Sequence, residues 1–186
     1  MGNTDLSSKG TTINRGALVK NYISILNKIK KEFSYNWLTD SQIEVFERIR
    51  DYLSYPGSVT GFLYGISGSG KTFTGWMLEK EKLLEYIPDG PKEKYELSSS
   101  IKGVVIDNID WNRYTLRNII KDLALSNINR YLLIGKYAPD EKLLKEFPLN
   151  LTEEDIIKVK ENIKNIGFIL PDNSGSTISL WNIFRR

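Results

Sequence analysis

Apolar positions recur along this chain in two rhythms. From Gly16 to Phe33, Leu18, Val19, Tyr22, Ile23, Ile25, Leu26 and Ile29 return at helical spacing. A second helix follows, capped by Thr39 or Asp40 and running to Leu53, with Ile43, Phe46, Ile49 and Leu53 on its inner face. Three short, nearly unbroken apolar runs read instead as buried strands: Val59–Tyr64, Lys102–Asn108 and Arg130–Lys136. Helical patterns over Phe73–Tyr86 and Arg113–Leu125 separate them. Beyond them the pattern predicts a short helix over Asp140–Phe147 ended by Pro148, and another opened by a capping box of Thr152 with Asp155. A fourth strand is expected at Phe168–Leu170, and Tyr95–Leu97 is a further short strand candidate. Strands alternating with helices predict an α/β fold of three layers, a mostly parallel sheet flanked by helices. The expected divisions are a flexible tail over 1–15, an N-terminal helical extension over 16–57, the core over 58–172 and a C-terminal tail over 173–186 that packs on it.

Composition narrows the chemistry. The 186 residues contain neither Cys nor His. That excludes disulfides, thiolate nucleophiles and Cys-type zinc sites, and it removes the commonest general base. Reactivity must rest on Asp, Glu, Lys, Arg, hydroxyls and a bound ion, which suits phosphoryl transfer. The net charge of +3 permits nucleic-acid contact without requiring it. No signal peptide and no apolar run of membrane-spanning length is evident, so a cytoplasmic location (host cytoplasm for a viral protein) and no membrane partner are expected.

The sharpest chemical signal follows the first strand. Gly65-Ile66-Ser67-Gly68-Ser69-Gly70-Lys71-Thr72 matches G-x-x-x-x-G-K-[ST] at every position, and Phe73 continues into a helix. Strand, Gly-rich loop and helix together form the setting of a phosphate-binding P-loop. Gly65, Gly68 and Gly70 are expected to adopt backbone angles that a Cβ would forbid, so that successive N–H groups face the phosphates. Lys71 supplies a charge for the β- and γ-phosphates, and the Thr72 hydroxyl is a Mg²⁺ ligand candidate.

The Val104-Val105-Ile106 run delivers Asp107 to the end of its strand, 36 residues after Lys71. There its carboxylate is the second candidate for Mg²⁺. Asn108 occupies the next position, where many enzymes of this kind carry a glutamate that polarises the attacking water. Asp110 is the nearest carboxylate to substitute, unless it caps the following helix. Lys136, at the end of the Arg130 strand, stands where a sensor of the γ-phosphate is expected. Arg113, Arg117, Arg130 and the terminal pair Arg185 and Arg186 are candidates for an arginine reaching a neighbouring subunit.

Leu38-Thr39 and Gln42, a helix, a turn, an apolar strand and the Gly65–Thr72 loop resemble the opening of superfamily 1 DNA helicases of the RecD type, over residues 38–73. More broadly the strand positions resemble P-loop NTPases of the RecA/AAA+ class. The resemblance implies that Gln42 contacts adenine, the alternative being an exposed polar residue in the first helical turn. It also implies a Mg²⁺-dependent ATPase acting on DNA or with a DNA-processing protein, as a homo-oligomeric motor, loader or switch. The chain is too short for the second core domain of a full helicase. A small-molecule kinase, or a regulatory protein with little hydrolysis, are the alternatives. Residues 87–103 contain no arginine, which counts against the kinase.

Overall fold

The computed structural model describes residues 24, 26–88, 102–109, 117–119, 121, 127–137 and 144–167. Among the described residues five strands form one sheet: β1 (Val59–Tyr64), β2 (Glu85–Ile87), β3 (Gly103–Ile109), β4 (Arg130–Gly135) and β5 (Lys145–Pro148). Their order is β2-β3-β4-β1-β5, and every pairing is parallel. All loops that leave the strands' C-terminal ends therefore emerge along one edge. The helices with described bounds are α1 (Asp40–Leu53), α2 (Lys71–Lys80) and α3 (Glu153–Asn165). Residues 26–32 and 117–119 are also helical.

Side chains alternate between two buried clusters, as the strand period of two requires. Leu63, Val105, Leu132, Ile134 and Phe147 share one cluster with Phe46 and Ile49 of α1, Met77 and Leu78 of α2, and Val159 and Ile163 of α3. Phe62, Val104, Ile106, Tyr131 and Leu133 belong to the other, with Ile119. The sheet is thus buried on both faces, which is why its strands read as continuous apolar runs. Helix α1 contributes to the same cluster as β1 and α2.

Both predicted caps are formed. Thr39 and Gln42 exchange backbone-to-side-chain hydrogen bonds at the start of α1, and Thr152 and Asp155 do so at the start of α3. Asp155 also accepts from the Ser41 amide at 3.2 Å, tying the two helix starts together. Burial raises the Asp155 pKa, but hydrogen bonds from Ser41, Thr152 and Thr39 outweigh it and hold the carboxyl below its ordinary range.

Two predicted helices are corrected. Helix α2 ends at Lys80 rather than Tyr86; the chain turns through Lys82 at φ 57°, and Glu85–Ile87 pairs with β3 as a strand. Lys145–Pro148, expected as the end of a helix, is β5 and pairs with β1. Phe147 drives that outcome: it is 1% exposed, and its ring lies 2.8 Å from where a Cβ on Gly61 would stand. A bulky apolar side chain facing a strand glycine overrides a weak local helical pattern. The expected strands at 95–97 and 168–170, both tails, half of the 16–33 helix and most of the 113–125 helix lie outside the described residues.

Candidate nucleotide site

The Gly65–Thr72 loop joins β1 to α2 at the C-terminal edge of the sheet. Gly68 and Gly70 have φ of 81° and 83°, the left-handed region where L side chains are strained. Gly65 differs from expectation, since it is not among the positive-φ residues. Its reason is space: a Cβ there would stand 2.3 Å from the Leu149 carbonyl oxygen, because the chain after β5 hydrogen-bonds alongside, Leu149 N–H donating to Tyr64 O at 2.8 Å. Ile66 and Ser67 are exposed at the crest of the loop, while Ser69 is fully buried. Phe73 points away into the core, its ring 5.6 Å from Phe33 and 5.3 Å from Trp76.

Lys71 folds back over the loop. Its Nζ donates to the carbonyls of Gly65 at 2.7 Å and Ile66 at 2.9 Å, and to Ser69 Oγ at 3.3 Å. Burial lowers its pKa to about 8, against a raising influence from the Asp107 charge and a smaller lowering one from Lys136. The ammonium is therefore held by neutral dipoles inside the loop that a phosphate would enter.

The structure brings Thr72 and Asp107 together. Thr72 Oγ1 donates to Asp107 Oδ2 at 2.7 Å, although β4 lies between β1 and β3 in the sheet. Asp107 is 3% exposed, and its other oxygen accepts from the Asn108 amide at 2.7 Å. Asn108 takes φ 58° within an irregularity of the β3–β4 register, and its side chain donates to the Pro88 carbonyl at 3.0 Å. Lys136 is exposed at the end of β4 with its Nζ 4.8 Å from the Tyr137 ring centre. Asp110 lies outside the described residues.

Gln42 also reaches this loop, from the first turn of α1. It is fully buried, which removes the exposed-surface alternative. Its Oε1 accepts from the Thr39 amide at 3.0 Å, and its Nε2 donates to the Ser69 carbonyl at 3.4 Å. As placed, contact with a base would require the amide to leave Ser69.

Sequence reasoning missed Tyr86. Its hydroxyl donates to Asp107 Oδ2 at 2.6 Å, the oxygen that Thr72 also uses. Burial, then the Asp107 charge, push its pKa far up, so the phenol keeps its proton. The available signal was Gly75 inside α2. A Cβ there would meet the Tyr86 ring at 2.9 Å, so this glycine lets β2 bring Tyr86 close to the helix.

No family model and no curated protein matches this chain. Among solved structures it is similar to a "putative primosome component" from Streptococcus pyogenes serotype M3, at 17% identity over 66% of this chain and 88% of that one, with a TM-score of 0.46. It is also similar to a chain in the structure of Drosophila ORC bound to DNA, at 10% identity and a TM-score of 0.48, covering 99% of this chain and 62% of that one. At this level neither likeness bears on what this chain does. No helix among the described residues is long and apolar enough to cross a membrane.

Proposed function

We propose that the C-terminal edge of the sheet binds ATP with Mg²⁺ and hydrolyses it, and that the protein works with DNA or a DNA-processing partner as a homo-oligomer. The observation that carries the nucleotide reading is the 2.7 Å pairing of Thr72 Oγ1 with Asp107 Oδ2, beside a loop whose lysine is held by its own carbonyls. Two hard oxygen donors suit Mg²⁺, which takes few protein ligands and fills the rest of its shell with water and phosphate. Thr72 and Asp107 would hold the ion; when bound, it would neutralise charge on the phosphates. Lys71 would exchange the neutral Gly65 and Ile66 carbonyls for anionic phosphate oxygens, so its ammonium would gain a charged partner as the nucleotide enters. Asp110 as the base and Lys136 as the γ-phosphate sensor complete the proposed set.

A second reading, a nucleotide switch with little turnover, is favoured by Asn108. It stands directly after the Mg²⁺ carboxylate with an amide already spent on Pro88. One experiment separates the two: ATP binding and turnover measured against protein concentration, with and without Mg²⁺ and with single- or double-stranded DNA. Mg²⁺-dependent binding with turnover that rises steeply with concentration or DNA supports the motor or loader. Tight binding with negligible turnover supports the switch, and no Mg²⁺-dependent ATP binding sinks both. The adenine role of Gln42 is tested by Gln42→Ala. A reduced preference for ATP over GTP is expected if the amide leaves Ser69 for the base; an unchanged ratio leaves Gln42 as a clamp between α1 and the loop.

A further inference from the structure

At the opposite edge of the sheet, where β3 and β4 begin, lies a cavity of about 550 Å³. Four cations line it, Arg50, Lys82, Lys102 and Arg130, against one carboxylate, Glu85. Its floor is apolar, formed by the buried Leu53 and Leu84. Arg50 is paired with Glu47, and Arg130 spends its Nε on the Leu53 carbonyl at 3.0 Å, which leaves the rest of its guanidinium. Lys82 and Lys102 are exposed and form no ion pair among the described residues. Lys82 takes φ 57° where α2 closes, its N–H donating to Glu79 O and that of Leu83 to Leu78 O, both at 2.9 Å, and it lines the cavity. One residue beyond the lining Ser54, Tyr55 is 62% exposed.

We infer that this cavity binds single-stranded nucleic acid. Uncommitted cations attract successive phosphates whatever the base sequence. An apolar floor and an exposed tyrosine nearby offer surface to bases or sugars, which a duplex would keep stacked inside. The cavity's position separates it from the nucleotide site: β4 spans six residues, roughly 20 Å at the usual rise per residue. The inference deepens the nucleic-acid part of the function proposed above, and it does not depend on the ATP site.

The test uses the full chain and a fluorescein-labelled oligothymidylate, read by anisotropy at several salt concentrations. Binding should weaken linearly on a logarithmic salt scale. Lys82→Glu with Lys102→Glu should weaken it at least tenfold, while the arginine pair Lys82→Arg with Lys102→Arg retains it and ATP binding stays unchanged in both. Wild-type binding that survives charge reversal would overturn the cavity while leaving a nucleic-acid partner standing. No wild-type binding at low salt would overturn both. Equally tight binding of free dTMP would overturn the assignment to a polymer.

Discussion

At the C-terminal edge of the sheet, Asp107 and Lys71 already have hydrogen-bond partners. Asp107 accepts from Thr72, Tyr86 and Asn108 while 3% exposed, and Lys71 is cradled by two loop carbonyls. At the N-terminal edge, Lys82 and Lys102 stand exposed with no ion pair among the described residues. A ligand at the first edge must displace existing hydrogen bonds, so it is admitted only if it replaces them closely in geometry and charge. A ligand at the second breaks little and gains a screened attraction that tolerates variation. On the function proposed above, one sheet offers a selective edge and a permissive one.

The largest effect expected at the selective edge is that of Lys71→Ala. ATP affinity should fall on the order of a hundredfold or more, the cost of removing a buried, hydrogen-bonded charge from its partner. Oligothymidylate binding at the permissive edge should stay within about twofold, an independence expected of sites this far apart. Titrating both ligands against the variant checks it, and parallel losses would break the distinction between edges. Next is Asp107→Asn. Because the Thr72 and Tyr86 hydroxyls can rotate to accept from the new amide, and its oxygen can still accept from the Asn108 N–H, the fold should persist. Mg²⁺ enhancement of ATP binding should fall by roughly tenfold or more as the ion loses its anionic ligand. Undiminished enhancement would mean that another carboxylate holds the ion.

Legibility in the sequence followed the same division. The turns at Gly68 and Gly70 were readable because positive φ is a local backbone requirement, whereas Gly65 is fixed by the distant Leu149; the place of Asp107 at a strand end was readable because a Val/Ile run must end at an edge. The Thr152–Asp155 capping box was readable for a local reason, whereas at the other helix only the cap at Thr39 or Asp40 was, and the part Gln42 plays in it was not. Tyr86 was not, since its role depends on a three-residue strand too short to show a period and on a glycine four positions into the preceding helix. Phe147 was misread because its place is fixed by Gly61, distant in sequence. The basic cavity was invisible: its four cations come from α1, the turn after α2 and the starts of β3 and β4, and only the sheet order gathers them.

A smaller effect comes from pH. With its pKa lowered to about 8, the Lys71 ammonium is mostly protonated at pH 7 and about one-tenth protonated at pH 9. ATP affinity should therefore fall by up to about tenfold over that range, because only the protonated form offers the charge. Stability moves the other way. Burial of the ammonium costs stability below pH 8; the unfolded chain holds more protons up to its ordinary pKa near 10.5, so this group's penalty is relieved as pH rises through that window. Calorimetric titrations at pH 7, 8 and 9, with thermal melts alongside, check both signs. A flat affinity profile would place the ammonium outside the phosphate contact.

The smallest effect separates two roles for Tyr86 at the selective edge. Its hydroxyl and that of Thr72 share Asp107 Oδ2, so an arriving cation must compete with both for that oxygen's lone pairs. Tyr86→Phe removes one competitor. It should cost about 1 kcal/mol of stability through the lost hydrogen bond, yet tighten Mg²⁺-dependent ATP binding by roughly threefold, a shift of under 1 kcal/mol. Loss of stability with weaker Mg²⁺ dependence would instead mean that the phenol orients the carboxylate. The phenylalanine ring keeps the packing against Gly75 and Trp76, so a change in the cation response reports on the hydroxyl alone. A threefold gain at this edge, with oligothymidylate binding unchanged at the other, would show that the selective edge limits its own affinity by keeping its carboxylate satisfied.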